Sequence, residues 1–398
     1  MTKPKVIILN LSTSGSRLGG AAIAAEWHSR FMADLYPVEL WRMWDNNSEF
    51  YLDNLKIRQF NTKSSLPKFE KNLPKKVRSF FLKANILEDL KKNPPKIVHL
   101  QNPLPALFWE ETVKFLSDLG TKIIVSTHGF YEVFHPNYNL NRIEKSLWNQ
   151  LITMPISRSL KYIDAFISGY PDEENELIKL GVLKHKIHLV PNGVNPFFLE
   201  SASDEERKKV IEKFKIDVNI PTLLYIGNHT SNKGIDTFLR IASLFTEAAN
   251  FVVGGKLLNP KEPEDCSNRF PPSPKVNLIF TDFLSLSEQR ALYQLSSLLL
   301  FPSLADTLPL TILEAMASGL PVISYGVGGI PFELDNGAGA IIHPGDFNGF
   351  YGMVNNLLDD KNKRNYLAQN AKFRQKSLFS WESAAHSTIC VYEQLISQ

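Results

Sequence analysis

Only two cysteines, Cys266 and Cys390, occur in the 398 residues. Set so far apart, they suggest neither a disulfide framework nor a clustered metal site, and they suit a reducing compartment. Long apolar runs are also missing. No stretch approaches 18 continuous apolar residues, so a membrane-spanning helix is not expected. The opening MTKPKVIILNLS is basic and then apolar, but it passes into STSGSRLGG without a recognisable cleavage site. It therefore reads as a buried first strand rather than a secretory leader, and cytoplasmic residence is the expectation. A surplus of one charge is lacking too: 44 Lys and Arg against 41 Asp and Glu leave a formal net charge of +3. With no recognised nucleic-acid motif, no nucleic-acid partner is expected. Neither GxGxxG nor GxxxxGK[ST] occurs, which weighs against nicotinamide chemistry and ATP hydrolysis. No G-x-S-x-G nucleophile turn is present, and no close His/Cys/Asp/Glu set offers a metal site.

What is present is enough apolar material for two cores. The chain is longer than one core usually organises, and 43% of it is hydrophobic. In the first half, KVIILNLS, the VELWRMW region, KIVHLQN, TKIIVSTH and DAFISG suit strands. Segments around 21–32, 104–119 and 172–180 suit the helices between some of them. After HLVPNGVNPFFLE a second cycle begins, in which TLLYIGN, NFVVGG, KVNLIFTD, SLLLFPS and PVISYG suit strands and NKGIDTFLRIASLF a helix. This rhythm predicts a largely parallel α/β sheet in each half. The prolines and polar residues of LLNPKEPEDCSNRFPPSPK predict an exposed loop. The expected division is 1–195, 196–372 and a last helical segment, 373–398, with Ser380 as a cap and Trp381 as an anchor.

The region 56–96 is basic, with Lys56, Arg58, Lys63, Lys68, Lys71, Lys75, Lys76, Arg78, Lys83, Lys91, Lys92 and Lys96 against Glu70, Glu88 and Asp89. Within it Val77, Phe80, Phe81, Ala84 and Leu87 have helix-compatible spacing. Such a face can lie on an anionic membrane, or it can be a solvated basic surface whose aromatic side packs on the core.

The chemistry gathers in a few short stretches. In LADTLPLTILEAMASGLPVISYGVGG, Pro309 marks a helix start, and Gly319 with Pro321 marks its end. Asp306 then lies on the feeding loop and Glu314 in an early helical turn. Both can reach a ligand at the helix terminus, although capping and solvation account for them as readily as a hydroxyl-rich ligand does. In the first half, Gly15, Gly19 and Gly20 precede a helix whose amides could receive phosphate. In IGNHTSNKG, Lys233 sits where an ammonium can neutralise diphosphate, or can simply be a solvated helix-end lysine. His128 ends a strand at its carboxyl edge, where open α/β sheets bind ligands, whereas His99 lies inside its strand.

These motifs resemble the retaining GT-B glycosyltransferases of family 4 (glycosyl transferases group 1), of the bacterial polysaccharide-biosynthesis type. The likeness rests on LADTLPLTILEAMASGLPVISYGVGGIPFEL, SRLGGAAIAA, STHGF, VPNGVN, IGNHTSNKGID and the late FSWE. It implies two Rossmann-like domains facing across a cleft, with the nucleotide mainly on the second. By resemblance, Glu314 binds the nucleotide ribose, and Asp306, which stands where the family usually has glutamate, approaches a donor-sugar hydroxyl. Lys233 contacts the diphosphate. Asn228 occupies the place of a common arginine, so part of that neutralisation must come from elsewhere. Gly19 and Gly20 match the first domain's phosphate-facing turn, and Gly328 and Gly329 the mobile loop near the donor, with Glu333 beside them. His128 matches the active-site histidine, in a positioning and stabilising role.

The implied reaction moves a sugar from a nucleotide-diphosphate sugar, UDP- or GDP-linked, to an acceptor hydroxyl with retention. The acceptor is a glycan, lipid-linked or soluble, in surface polysaccharide or lipopolysaccharide synthesis at the inner face of the cytoplasmic membrane. No metal or cofactor is implied, and no clear Asp-x-Asp donor site is present. The alternative of a different class is a catalytically silent nucleotide-sugar or carbohydrate-binding protein.

Overall fold

The structure, a computed structural model, describes residues 3–11, 19–66, 68, 78–128, 130–134 and 141–397. It divides into two compact units: Met1–Gly193 with Trp381–Gln398, and Val194–Ser380. The helical tail expected from residue 373 is therefore split, because the segment that joins the first unit starts at Trp381.

The first unit holds strands β1 (Val6–Asn10), β2 (Val38–Trp44), β3 (Ser48–Leu52), β4 (Leu55–Ser64), β5 (Leu82–Ala84), β6 (Ile97–Leu100), β7 (Lys122–Ser126), β8 (Ala165–Ser168) and β9 (Ile187–Leu189). Its main helices include α1 (Gly20–Ala33), α2 (Ile86–Lys92), α3 (Ala106–Asp118) and α4 (Pro171–Lys179). The strands run β3-β4-β2-β1-β6-β7-β8-β9, and β5 pairs with β4. The pairings are parallel except for β3 and β5, which lie antiparallel to β4. Every residue of β1, β6 and β8 is buried. This is why those segments read as unbroken apolar runs rather than alternating ones: helices cover both faces of a parallel sheet.

The second unit holds α5 (Asp204–Phe214), β10 (Thr222–Ile226), α6 (Ile235–Leu244), β11 (Ala249–Gly254), α7 (Glu262–Arg269), β12 (Val276–Phe280), α8 (Leu286–Leu295) and β13 (Leu298–Phe301). It continues through α9 (Leu310–Ser318), β14 (Val322–Tyr325), β15 (Ala340–Ile342), α10 (Phe347–Asp359) and α11 (Lys361–Leu378). The strand order β12-β11-β10-β13-β14-β15 is parallel throughout. The order reverses between β10 and β13, so the loops leaving these neighbours diverge from one crevice at the sheet's carboxyl edge. Capping boxes at Ser203–Glu206 and Ser285–Glu288 start α5 and α8, each satisfying helix-end amides that burial would otherwise penalise. Helix α12 (Trp381–Ser397) then packs against α1 in the first unit.

Two expectations are corrected. The apolar residues Phe80 to Leu87 do not form an amphipathic helix. Residues 82–84 are a strand paired with β4, and Phe80, Leu82 and Leu87 pack against the first unit's core. Helical spacing arose there because a short strand and α2 follow each other closely. The basic residues nearby are partly neutralised: Lys56 pairs with Glu49 at 2.6 Å, and Arg58 with Asp89 at 2.6 Å. Lys71, Lys75, Lys76 and Val77 lie outside the described residues. The second correction is α7, which occupies the segment expected to be a loop. Pro263 falls in its first turn, where a missing N–H costs nothing, and Cys266 is buried.

Candidate functional site

Three loops of the second unit meet at its carboxyl edge. The loop after β10 carries Lys233, the loop after β13 carries Asp306, and the loop after β14 carries Gly328 and Gly329. Leu304 N–H donates to the Asn232 carbonyl at 2.8 Å, tying the first two loops together. Gly234 explains how closely they approach. Its φ is +78°, and an added Cβ would lie 1.9 Å from the Pro302 carbonyl oxygen. Any side chain there meets backbone, so the lysine before it keeps its place only with glycine following.

Lys233 Nζ donates to Asp306 Oδ1 at 2.8 Å and to the Ala305 carbonyl at 3.1 Å. Both side chains of the pair are mostly buried, at 21% and 15% exposure, so water screens them little. Asp306 Oδ2 is buried without a hydrogen-bond partner among the described residues. The third loop closes on the same place. Gly329 N–H donates to the Thr307 carbonyl at 2.6 Å, and a Cβ on Gly328, at φ +52°, would lie 1.9 Å from the Asp306 carbonyl oxygen.

Glu333 follows in the helical turn 330–333, fully buried, with neither carboxyl oxygen partnered among the described residues. Burial, and secondly the charge of Asp306, push this carboxyl well above its ordinary value, against the pull of Arg374. Arg374 itself donates to the carbonyls of Phe332 and Glu333.

Glu314 lies in the second turn of α9. Gln289 Nε2 at 2.7 Å and Tyr293 Oη at 2.9 Å, both from α8, donate to its Oε2. Burial raises its carboxyl to about 7, while the Tyr293 hydrogen bond works in the opposite direction. Gln289 and Tyr293 gave no signal in the sequence. Their spacing on α8 becomes meaningful only once α8 and α9 pack together. Asn228 is exposed, and its carbonyl accepts from Tyr225 Oη at 2.8 Å.

The remaining predicted residues belong to the first unit. Gly19 is the N-cap of α1 in extended backbone at φ −75°, and a Cβ on Gly20 would meet nothing within 4 Å. Backbone strain calls for glycine at neither position. Gly15 lies outside the described residues. His128 follows β7 and is partly buried; burial lowers its imidazole to about 4, so the ring is neutral at pH 7. Its neighbours His28 and His99 are lowered as well, chiefly by burial. Among the described residues no group of three or more His, Cys, Asp or Glu could hold a metal ion. No described helix is long and apolar enough to cross a membrane.

The structure thus brings Lys233, Asp306, Gly328, Gly329 and Glu333 together, with Glu314 on the adjoining helix. One ammonium, crowded loop amides and several unclaimed carboxyl oxygens suit a ligand that is anionic at one end and rich in hydroxyls at the other.

The chain is similar to known proteins in both sequence and fold. A family model described as Glycosyltransferase Family 4 matches residues 19–197, and one described as Glycosyl transferases group 1 matches 206–374. Sulfoquinovosyl transferase SQD2 of Arabidopsis thaliana is 24% identical over 77% of this chain and 58% of its own length. The chain spans about half to three-fifths of the curated relatives it matches most strongly. Among solved structures, Anabaena HepE in complex with UDP-glucose superposes with a TM-score of 0.72 at 15% identity, over 99% of this chain and 100% of that one. WaaG, a glycosyltransferase involved in lipopolysaccharide biosynthesis, superposes with a TM-score of 0.69 at 16% identity, over 96% and 98%.

Proposed function

Because the chain belongs to the group 1, family 4 glycosyltransferases and has their GT-B fold of two Rossmann-like domains, we propose that it transfers a sugar from a nucleotide-diphosphate sugar to an acceptor hydroxyl with retention of configuration. The observation that carries this reading is the Lys233–Asp306 pair at the β10/β13 switch point, with buried acceptor oxygens of Asp306 and Glu333 awaiting donors.

In this mechanism Lys233 exchanges part of its hold on Asp306 for the diphosphate. Its charge, fixed in a poorly screened site, then stabilises the negative charge that grows on the leaving group. Asp306 Oδ2 and the Glu333 carboxyl take hydrogen bonds from sugar hydroxyls. A sugar lacking a hydroxyl would leave a buried oxygen unpaired, so these contacts also select the donor. Glu314 offers Oε1 to a ribose hydroxyl, since Gln289 and Tyr293 already occupy Oε2. A hydroxyl donated to the ionised carboxyl would pull its pKa down from about 7 on binding. By the family likeness His128 takes a positioning role, and its neutral ring contributes no charge.

HepE's complex with UDP-glucose supports a uridine donor, and WaaG supports a surface-glycan acceptor, with GDP donors and soluble acceptors the alternatives. A cytoplasmic setting with a lipid-linked acceptor would place the chain at an anionic membrane surface. Reversing Lys63, Lys83, Lys91 and Lys92 should then weaken binding to anionic vesicles.

The test is product analysis with a panel of UDP- and GDP-sugars, with and without chelator, reading release of nucleotide diphosphate and the anomeric configuration of the product. Retained configuration with a preferred donor is expected. Donor binding with no release across a range of acceptors would replace this reading with that of a silent binding protein.

A further inference from the structure

We infer that the C-terminal helix α12 is part of the apparatus that places His128, acting through a buried chain from Tyr392 to His99 to Ser126. The inference rests on the role proposed for His128 above, but its physical content does not depend on which donor the protein uses.

Helix α12 turns one face to the first unit, and on it Trp381, Ala384, Thr388 and Tyr392 recur at helical spacing, all of them buried. Trp381 stacks on the His28 ring, with centroids 5.8 Å apart and planes 25° from parallel. Thr388 Oγ1 lies 3.1 Å from His28 Nε2. One helical turn further, Tyr392 Oη lies 2.7 Å from His99 Nδ1. The other nitrogen of His99 lies 2.8 Å from Ser126 Oγ and 3.2 Å from Gln101 Nε2.

Tyr392 Oη also donates to Met32 Sδ at 3.5 Å. A neutral imidazole carries one N–H and one lone pair, and hydroxyls both donate and accept, so in either tautomer His99 joins Tyr392 on one side to Ser126 on the other. The planar link across this buried chain of contacts is the His99 imidazole. A core built to be merely apolar would have no use for it, because each buried polar atom costs stability when left unpaired.

Ser126 is the last residue of β7, two before His128. Thr127 is anchored to the opposite neighbour: its N–H and its Oγ1 both reach the Ile167 carbonyl, at 3.0 and 3.1 Å. Phe130 N–H then closes on the Thr127 carbonyl at 2.8 Å. The backbone entering His128 is therefore pinned from β8 on one side and, through Ser126 and His99, from α12 on the other. His99 and Tyr392 are positioning residues, 293 positions apart in sequence.

The test uses the full chain labelled with 15N-histidine, with ring resonances assigned by His128→Gln and His99→Gln. Tyr392→Phe removes one link at the helix, and Ser126→Ala removes the other at the strand. Both are expected to displace the His128 resonances while circular dichroism stays native. Ser126→Thr keeps the hydroxyl and is expected to restore the wild-type positions. With the donor that supports turnover in the panel, both disrupting variants should lower kcat about 10-fold at a donor KM within about 2-fold, the loss that slight misplacement of a working group produces. If His99 resonances move and those of His128 stay in place in both folded variants, the proposal is overturned. Should Tyr392→Phe not fold, Ser126→Ala and its threonine partner decide the matter alone. The resonance measurement stands whether or not the chain turns over any nucleotide sugar, so its failure is separable from failure of the transferase reading.

Discussion

The carboxyl edges of the two sheets are built from opposite kinds of polarity. In the second unit the edge holds charge: Lys233 against Asp306, with Glu333 and Glu314 beside them. In the first unit neutral groups gather: His28 hydrogen-bonded to Thr388, His99 to Ser126, and the neutral His128. Both arrangements are largely buried, where charges interact strongly and every unpaired polar atom is costly. The difference teaches that a similar α/β scaffold can present an electrostatic grip at one edge and a pre-set, uncharged geometry at the other. In the proposed reaction the first suits a diphosphate, and the second suits a neutral, fixed imidazole.

The largest expected break in this comparison is Lys233→Ala. Removing the lone ammonium should lower kcat/KM by about 10²- to 10³-fold, the range seen when a developing anion loses a preorganised partner. The melting temperature should fall as well, because Asp306 is left mostly buried without its counter-ion, so kinetics are read on protein that circular dichroism shows to be folded. An equal loss of folded protein and activity would return Lys233 to a structural role.

Next comes pH, which should act on the two edges with opposite sign. His28 has a folded pKa of about 4 against an ordinary 6.5. The unfolded chain therefore binds more protons between those values, and the first unit's stability, complete above about pH 6.5, falls as pH drops to 4. The fall is about 3 kcal/mol for this one buried ring. His28→Gln should flatten it. Glu173, raised by burial to about 7 in the same unit, opposes part of the trend. In the second unit Glu314 is raised to about 7 and Glu333 is raised as well. There the folded form holds the extra protons, so stability is greatest below about pH 4.5 and declines toward pH 7. Amide exchange resolved by unit at pH 4.5, 6 and 8 checks both slopes, and parallel slopes would dissolve the contrast.

Gly328→Ala sharpens the comparison locally. A Cβ 1.9 Å from the Asp306 carbonyl at positive φ should destabilise the second unit by about 1–3 kcal/mol and displace the Asp306 loop. Thermal unfolding should show the loss in that unit alone. The smallest effect belongs to Glu314→Gln, which should raise the donor KM about 10-fold, keep kcat within about 2-fold, and reduce the second unit's decline near pH 7, leaving the share due to Glu333. A KM unchanged by this substitution would separate Glu314 from the ribose.

Much of this was legible before any coordinates, and for local reasons. Unbroken apolar runs such as VIILN and LLLF mark strands covered on both faces. The stretch from Leu304 to Gly329 also placed Asp306 on a loop and Glu314 on a helix by proline and glycine alone. The misreadings were equally local. Residues 80–87 carry helical spacing but divide between a strand and a helix, and a proline-rich stretch hides α7. Nothing within reach of periodicity could decide either, because pairing with β4 and burial of Cys266 are contacts with distant residues.

By itself, then, the sequence determined the α/β rhythm and the division into two cores, which follow from spacing within one or two turns or strands, and its motifs offered the acids, lysine and histidine as site candidates by their resemblance to a family. Tertiary structure alone decided that Gln289 and Tyr293 hold Glu314, that burial raises the Glu333 carboxyl, and that Tyr392 reaches His99. The physical reason is that burial and hydrogen-bond partnership depend on packing between elements, and a linear sequence encodes packing only through the whole fold.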